Sequence, residues 1–246
     1  MRSVIIIPAR YKSSRFPGKP LALLLGKPMI LWVAELSAKA IGRENVYVAT
    51  EDSRIAQLVE QAGYQAVMTS TNALTGTDRL AEAAKKIVAD IYINVQGDEP
   101  VLDPSDIIKI RDKKIDNMDS VINGYCKISK NEDPNSVNIP KVIFNEQEKM
   151  LYMSRVALPG FKDDKNMPLS YYKQVCIYAF TNKELQKFKD FSRKSVLEQS
   201  EDIEILRFLE LDTDIIMVKT EGQSFAVDVP EDVSPVEAAL KKVHKL

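Results

Sequence analysis

A chain of 246 residues is long enough to bury a sizeable core as one α/β domain that carries an inserted lobe. Its 34 basic and 35 acidic residues give a net charge of −1, so the molecule as a whole does not attract nucleic acid or an anionic membrane. Neither is expected as a partner. Any affinity for phosphate must therefore come from a local cluster of charges.

The chain has only two cysteines and one histidine. Cys126 and Cys176 lie in apolar runs, which favours small buried side chains over a disulfide bond. His244 lies in a basic tail, so a structural zinc site is not expected. The chain enters a strand directly after Met1, without the charged and apolar regions of a leader peptide, and the expected location is cytoplasmic.

The first element is a short apolar run over residues 3–10 that predicts a strand buried on both faces. The loop over residues 11–20 follows at once. This region is stiffened by Pro8, Pro17 and Pro20. It also gathers four cations, namely Arg10, Lys12, Arg15 and Lys19. A stiff cationic loop at the carboxyl end of a strand predicts a site for a polyanion such as a triphosphate, the alternative being a solvated basic loop.

The rest of the first half alternates strands with helices. Strands are predicted over residues 46–50, 66–69 and 90–96. Helices are predicted over 28–39, from Ser53 to 62, over 78–89 with Thr77 as the cap, and from Asp103-Pro104 onwards. This alternation predicts an α/β fold with a mostly parallel, Rossmann-like sheet flanked by helices.

The second half has a different character and predicts an antiparallel extension or arm. Strands are expected over residues 120–128, 141–145, 171–180 and 215–218, with a further strand-like stretch over 224–227. Helices are expected from the capping box 181–184 to 190, over 196–211, and from Pro230 to the end. We interpret the chain as a single domain, 1–246, with three parts: 1–115, 116–228 and a C-terminal helix over 229–246.

Two common phosphate-binding motifs are absent. The sequence has no G-x-x-x-x-G-K-[ST] and no G-x-G-x-x-G after the first strand, which excludes a P-loop hydrolase and a classical dinucleotide dehydrogenase. In their place, Arg10 offers forked contacts to phosphate oxygens and Lys19 a movable point charge. Ser13 and Ser14 are either hydrogen-bond donors to phosphate or residues of a turn.

Two aspartates are candidate metal ligands. Asp98 follows the strand over 90–96, at the sheet edge where the first strand delivers Arg10. Asp228 follows the strand-like stretch over 224–227. Because Mg²⁺ takes one or two carboxylates together with phosphate oxygens and water, we expect Mg²⁺ to bridge these residues to a polyphosphate. The alternative for both aspartates is a cap of a turn or helix.

The loop also carries a resemblance. Residues 7–21, IPARYKSSRFPGKPL, resemble the nucleotide-binding loop of the 3-deoxy-manno-octulosonate (Kdo) cytidylyltransferases, which are relatives of the sialic acid cytidylyltransferases. The similarity spans nearly the whole chain and is densest in the first hundred residues. It recurs at residues 26–29, 75–82, 94–100 and 227–232.

The resemblance implies a nucleotidyltransferase-type fold and the transfer of CMP from CTP to the anomeric hydroxyl of an acidic ulosonic sugar. Pyrophosphate is released, and the product serves bacterial lipopolysaccharide or capsule. Arg10, Lys19 and Asp98 are then the catalytic residues, Asp98 and Asp228 bind Mg²⁺, and 116–228 supplies the sugar pocket and a homodimer contact. The nucleotide-binding residues would be Pro8, Ala9, Arg10, Ser13, Ser14, Arg15, Lys19, Gly76, Thr77, Arg79 and Gln96.

The acceptor pocket is where the sequence departs from this family. Arg155, Tyr178 and Glu204 have counterparts there, but Gln174 stands where the family usually has histidine, and Ile205 where it usually has glutamine. Such changes in hydrogen-bonding groups predict a different acceptor, for instance 8-amino-3,8-dideoxy-octulosonate. The alternative is that the two changes compensate each other and Kdo is still bound.

Two further functions remain open at this point. One is a cytidylyltransferase for a sialic-acid-like sugar, and the other is a non-catalytic sensor of sugar nucleotides built on the same fold. The retention of both acidic metal positions favours an enzyme, because a sensor has no need to activate an α-phosphate.

Overall fold

The structure is a computed structural model that describes residues 1–13, 15–221 and 225–245. Ser14 and part of the predicted strand-like stretch, residues 222–224, lie outside those ranges. Within them, no helix is both long enough and apolar enough to cross a membrane.

A mixed sheet of nine strands, counted over the described ranges, forms the centre of the molecule, and two short strands form a separate hairpin. The sheet consists of β1 (Ser3–Ala9), β4 (Val46–Thr50), β5 (Gln65–Met68), β6 (Ile91–Val95), β7 (Val121–Lys127), β8 (Lys141–Phe144), β9 (Met150–Ser154), β10 (Tyr172–Phe180) and β11 (Ile215–Lys219). The hairpin consists of β2 (Leu23–Leu24) and β3 (Lys27–Pro28).

The helices follow the strands in the alternating order that the sequence predicts for the first half. They are α1 (Met29–Ile41), α2 (Ser53–Gln61), α3 (Gly76–Ala84), α4 (Pro104–Asp116), α5 (Asn182–Asp190), α6 (Val196–Glu201), α7 (Leu206–Glu210) and α8 (Val233–His244).

The sheet has a parallel part and an antiparallel part. Its central order is β11-β7-β10-β6-β1-β4-β5, with β1 parallel to both β4 and β6, and β4 parallel to β5. Strand β10 runs antiparallel to β6 and β7, and β8 and β9 extend the sheet as an antiparallel pair. The predicted Rossmann-like α/β fold with an antiparallel extension is confirmed.

Strand β1 is buried on both faces, as its continuous apolar run predicts. Val4 and Ile6 pack into the core cluster on one face of the sheet, and Ile5 and Ile7 into the cluster on the other. Because successive side chains point to opposite faces of a strand, one seven-residue run serves both cores and rigidly places the loop that follows.

Several predicted helix boundaries are wrong. The caps of α2 and α3 are Asp52 and Thr75, whose side-chain oxygens accept the N–H groups of Arg54 and Asp78, so the cap is neither Ser53 nor Thr77. The second of these helices ends at Ala84, five residues earlier than predicted.

The predicted helix over 196–211 is two helices. Asp202 adopts a left-handed conformation with φ 49° and breaks the α6–α7 segment, which a continuous helix does not allow. The terminal segment starts at Pro230 with one turn of 3₁₀ helix before α8 begins at Val233. Residues 225–227 are not a strand, and β9 is a strand that the sequence pattern did not indicate.

Candidate active site

The loop after β1 is held in one shape by its own backbone. The N–H of Gly18 donates to the carbonyl of Tyr11 at 2.9 Å, and Gly18 has a φ of 70°. A Cβ atom at this position would come within 3.2 Å of the Tyr11 ring, so the turn requires glycine. Ser13 Oγ accepts the N–H of Phe16 at 3.3 Å, which gives this serine a turn-forming contact.

Arg10 lies exposed at the end of β1, immediately after Ala9. Its guanidinium makes no hydrogen bond or ion pair with any other residue in the described ranges. Five N–H donors at the carboxyl edge of a parallel sheet are therefore available to a ligand such as phosphate.

Lys19 is the centre of a charged cluster that joins both ends of the chain. Its Nζ atom lies 2.5 Å from Asp98 Oδ2, 2.8 Å from the carbonyl oxygen of Val227 and 3.8 Å from Asp228 Oδ1. The Nη2 atom of Arg15 lies 3.1 Å from the same Asp228 oxygen. Two predicted cations and both predicted metal ligands thus meet in one place; we call these four residues the open cluster.

The segment that carries Asp228 is anchored on two sides. The N–H of Val227 donates to the carbonyl of Asp98 at 3.0 Å, which ties the segment to the end of β6. The side chain of Val227 is fully buried in a small core with Leu24, Met29 and Trp32, against which α8 also packs. The C-terminal helix therefore helps to hold Asp228 beside Asp98.

The open cluster offers the oxygen ligands that a hard cation prefers, but too few to fill its coordination shell without phosphate oxygens or water. It offers two carboxylates, and no group of three or more histidine, cysteine, aspartate or glutamate side chains suited to a metal occurs in the part of the chain that the structure describes. Mg²⁺ is typically held by one or two carboxylates together with phosphate oxygens and water, and Asp98 with Asp228 fits that pattern.

Backbone groups converge beside this cluster. A Cβ atom on Gly76 would lie 3.3 Å from Gln96 Nε2 and 3.4 Å from Pro8 Cγ. A Cβ atom on Gly97 would lie only 2.9 Å from the carbonyl oxygen of Pro8. The ends of β1 and β6 and the start of α3 are therefore in close contact, and a side chain at either glycine would push them apart.

Glu204 connects this region to the second half of the chain. One of its carboxylate oxygens accepts the backbone N–H of Thr77 at 3.1 Å, and the other accepts Nε2 of Gln96 at 3.1 Å. Burial raises the pKa of the Glu204 carboxyl, and hydrogen bonds from Thr77 and Thr75 oppose that rise only in part. The residues predicted to contact the nucleotide and the sugar therefore meet at this side chain.

Arg79 is buried, with 4% of its surface exposed, and does not face solvent. Its guanidinium pairs with Glu51 at 3.0 Å and also donates to the hydroxyl of Thr69. Burial lowers the pKa of Arg79, although Glu51 acts in the opposite direction.

Sequence reasoning missed Glu51, which also accepts the N–H of Tyr11 at 2.9 Å and so links α3 to the start of the loop. The signal was available. Glu51 follows β4 directly, at the same sheet edge as Arg10.

Arg155 fastens the arm to the end of α6. Its Nε atom donates to the carbonyl of Glu201 at 2.5 Å, and its two terminal nitrogens donate to the carbonyls of Val137 and Asp202 at 2.8 and 2.9 Å. The carboxylate of Glu201 accepts the hydroxyl of Ser154 at 2.6 Å and the N–H of Arg155 at 2.9 Å. Sequence reasoning missed Glu201 as the partner of Arg155.

The other predicted sugar-contacting residues differ in their surroundings. Tyr178 is buried, and burial together with nearby Cys176 and Glu204 raises the pKa of its phenol well above the usual range. Gln174 Nε2 donates to Asn123 Oδ1 at 3.1 Å inside the protein. Ile205 is 1% exposed and packs in the larger core cluster.

Comparisons with known proteins agree with this geometry. A family model described as cytidylyltransferase matches residues 4–215. The chain is 42% identical over 253 residues to a 3-deoxy-manno-octulosonate cytidylyltransferase of Geotalea uraniireducens (strain Rf4), covering 98% of this chain and 100% of that protein. It is 39% identical over 246 residues to an 8-amino-3,8-dideoxy-manno-octulosonate cytidylyltransferase of Shewanella sp. (strain W3-18-1), covering 98% and 99%.

Comparison with solved structures also identifies similar cytidylyltransferases. A CMP:2-keto-3-deoxy-manno-octonic acid synthetase complexed with CTP matches with a TM-score of 0.91 at 36% identity, and the match covers all of both chains. An inositol-1-phosphate CTP transferase from T. maritima, at 14% identity and a TM-score of 0.71, shares the fold alone. The chain belongs to the cytidylyltransferase family and is a nucleotidyltransferase of the 3-deoxy-manno-octulosonate cytidylyltransferase type.

Proposed function

We propose that this enzyme transfers CMP from CTP to the anomeric hydroxyl of a 3-deoxy-ulosonic acid, either Kdo or its 8-amino-3,8-dideoxy relative, and releases pyrophosphate. One observation carries the proposal. Lys19 lies between Asp98 and Asp228 at the sheet edge where Gln96 and Glu204 also meet. One edge of the sheet thus combines groups that can bind the cytosine base, the phosphates of CTP and the acceptor sugar.

The chain's own residues have distinct tasks in this reaction. Backbone and side-chain groups of Pro8, Gly76 and Gln96 face the cytosine edge. The oxygen of the anomeric hydroxyl attacks the α-phosphorus in line, and the bond from that phosphorus to the bridging oxygen of the β-phosphate breaks. Arg10 and Lys19 stabilise the charge that develops on the departing pyrophosphate.

Asp98 and Asp228 are the residues that would hold Mg²⁺. When bound, the ion supplies Lewis-acid polarisation of the phosphate oxygens. The chain prepares the position by placing two carboxylates together and balancing their charge with Lys19 and Arg15.

The part over residues 116–228 is proposed to hold the sugar and to form a homodimer contact, with Tyr178 and Glu204 nearest the nucleotide. Exposed apolar side chains on or near the arm support the contact, since such patches mark interaction surfaces. They are Val137, Leu151, Val156, Phe161, Met167 and Leu169. The proposed compartment is the cytoplasm, where CTP is made.

Pyrophosphate release tests the function. The protein is mixed with Mg²⁺, one nucleoside triphosphate and one acid from a panel of Kdo, 8-amino-3,8-dideoxy-octulosonate and a sialic acid. We expect release with CTP and an octulosonate, and none with ATP or UTP. Release only with the sialic acid would contradict the acceptor, and CTP binding without release under every condition would identify a sensor.

A further inference from the structure

Strand β10 departs from regular pairing at the candidate active site. Val175 pairs with Gly124 of β7, but the next pair is Tyr178 with Asn123, so Cys176 and Ile177 have no counterpart on that neighbour. On its other side, Ile177 pairs with Val95 of β6, the residue before Gln96. The bulge therefore lies at the active edge of the sheet. Bulges beside active sites commonly redirect side chains.

Asn123 holds this bulge together. Its side chain is completely buried, and its Nδ2 atom donates to the carbonyls of Val175 at 2.9 Å and Ile177 at 3.0 Å. Carbonyl oxygens only accept hydrogen bonds, so they fix the orientation of the amide and turn its Oδ1 atom the other way. These two carbonyls flank Cys176 on either side.

Gln174 completes the arrangement. Asn123 Oδ1 accepts Nε2 of Gln174 at 3.1 Å, and Gln174 is itself buried on the same strand. A buried acceptor that is left without a donor destabilises the folded state, so residue 174 must present an N–H group. Histidine, usual here in the resembled family, also carries a ring N–H. The departure at Gln174 therefore keeps the donor.

The bulge brings Cys176 and Tyr178 into the same acidic surroundings. Burial raises the pKa of both, and nearby carboxylates add to the effect: Glu99, Asp98 and Glu204 for the thiol, and Glu204 and Glu99 for the phenol. The two groups form a side-chain hydrogen bond with each other. Ile177, which lies between them, pairs with Val95 next to Gln96, and Gln96 donates to Glu204. The pair therefore lies at the part of the sheet that the proposed function assigns to the acceptor.

We propose that Asn123, fixed by Gln174, is a positioning residue for the acceptor sugar. It holds the β10 bulge, and the bulge places Cys176 and Tyr178 near Glu204 as one wall of the acceptor pocket. The inference rests on the proposed function. It assigns Gln174 to supporting this wall through Asn123 rather than to contacting the sugar.

Steady-state kinetics of Gln174→Leu and Asn123→Ala test the positioning role. Both should raise KM for the acceptor by about tenfold and leave KM for CTP within about twofold, because one hydrogen bond of the wall is lost. Gln174→His should restore the acceptor KM to within about threefold of wild type, since it supplies the donor again. Gln186→Leu is the matched control, because Gln186 donates to the carbonyl of Ala81 outside the bulge.

An equal rise in both KM values, or a fall in kcat alone, would overturn the proposal by indicating a general structural role. So would a failure of Gln174→His to restore the acceptor KM. If the wild-type protein does not release pyrophosphate with any ulosonic acid of the panel, the proposed function fails. A measurement that does not depend on turnover then decides whether the bulge is held as proposed.

That measurement is alkylation by iodoacetamide, followed by peptide mass. The two free cysteines, Cys126 and Cys176, serve as internal control and probe, since Cys126 is buried and Cys176 half-buried. Gln174→Leu and Asn123→Ala should speed alkylation of Cys176 by about fivefold or more and leave Cys126 unchanged, because the segment on either side of the thiol is no longer held by Asn123 and the thiol becomes more accessible. An unchanged Cys176, or equal acceleration at both cysteines, would overturn the proposal.

Discussion

Two groups of paired charges in this protein have similar chemistry and opposite surroundings. The open cluster contains Lys19, Arg15, Asp98 and Asp228, whose side chains are 16%, 62%, 27% and 47% exposed. A second group, the closed cluster, consists of Arg207, Asp78 and Glu198, and no side chain in it is more than 3% exposed.

In the closed cluster, the partners of the arginine are all internal. Arg207 donates to Glu198 at 2.7 and 2.6 Å and to Asp78 at 3.1 Å, and its guanidinium lies 3.7 Å from the centre of the Phe188 ring. The hydrogen bonds that Arg207 donates to the carboxylates of Glu198 and Asp78 raise its pKa despite its burial. This cluster ties α6 and α7 to the first turn of α3 and offers nothing to a ligand.

The difference teaches that burial, more than residue type, separates a structural charge cluster from a functional one. Buried charges depend on each other, because a lone charge in a low-dielectric interior is very costly. Exposed pairs contribute little to stability and can exchange partners with a ligand. The closed cluster adjoins the candidate active site in sequence, since Asp78 follows Thr77, whose N–H donates to Glu204.

Asp98→Asn should break function and spare stability, and this is the largest effect that we expect. Removing a carboxylate that would hold the metal should cost several kcal/mol in the transition state, so pyrophosphate release should fall by about a thousandfold or more. The midpoint of thermal unfolding should stay close to that of wild type. Asp103→Asn is a matched control, because Asp103 caps α4 through the N–H of Ser105. Near-normal turnover of Asp98→Asn at saturating Mg²⁺ would contradict the assignment.

Arg207→Met should reduce the stability of the folded protein. It leaves Asp78 and Glu198 buried without a cation, so the free energy of unfolding in urea should drop by about 3–5 kcal/mol. Replacing all three residues with leucine or methionine should recover much of this loss, since the stranded charges are gone as well. A loss below about 1 kcal/mol for the single variant would show that the closed cluster is not structural in this sense.

Lys19→Ala separates binding of the outer phosphates from binding of the nucleoside. CTP should bind more weakly by about 1–3 kcal/mol, or roughly 5- to 150-fold, because a charge-assisted contact is lost. CMP, which lacks the outer phosphates, should bind as to wild type. Calorimetry with both nucleotides measures the difference, and equal weakening would remove Lys19 from that role.

The smallest effect concerns the choice of acceptor. Changing Gln174→His and Ile205→Gln together should raise kcat/KM for Kdo relative to its 8-amino-8-deoxy analogue, by about tenfold. Because Gln174→His preserves the donor to Asn123, we expect most of the change to come from Ile205→Gln. Competition between the two acids, for wild type, both single variants and the double variant, measures the ratio. The same ratio in all four proteins would show that these positions do not set specificity.

The sequence by itself determined the elements that depend on short-range pattern. The continuous apolar run of β1, the stiff cationic loop after it and the place of Asp98 at the end of β6 all follow from periodicity and from the rule that parallel strands end at a common edge. These features need only residues close together in the chain. The expected position of Asp98 beside the cationic loop follows from them, and in the structure Nζ of Lys19 lies 2.5 Å from Oδ2 of Asp98.

Only the tertiary structure decided the contacts between distant segments. Gln174 lies 51 residues from Asn123, and Arg207 lies 129 residues from Asp78. Local pattern predicts one helix over 196–211, yet Asp202 breaks it, and the short helix that follows carries Arg207 in the closed cluster. Such features depend on how whole elements pack, because the free energy of a buried charge or amide is set by every group around it.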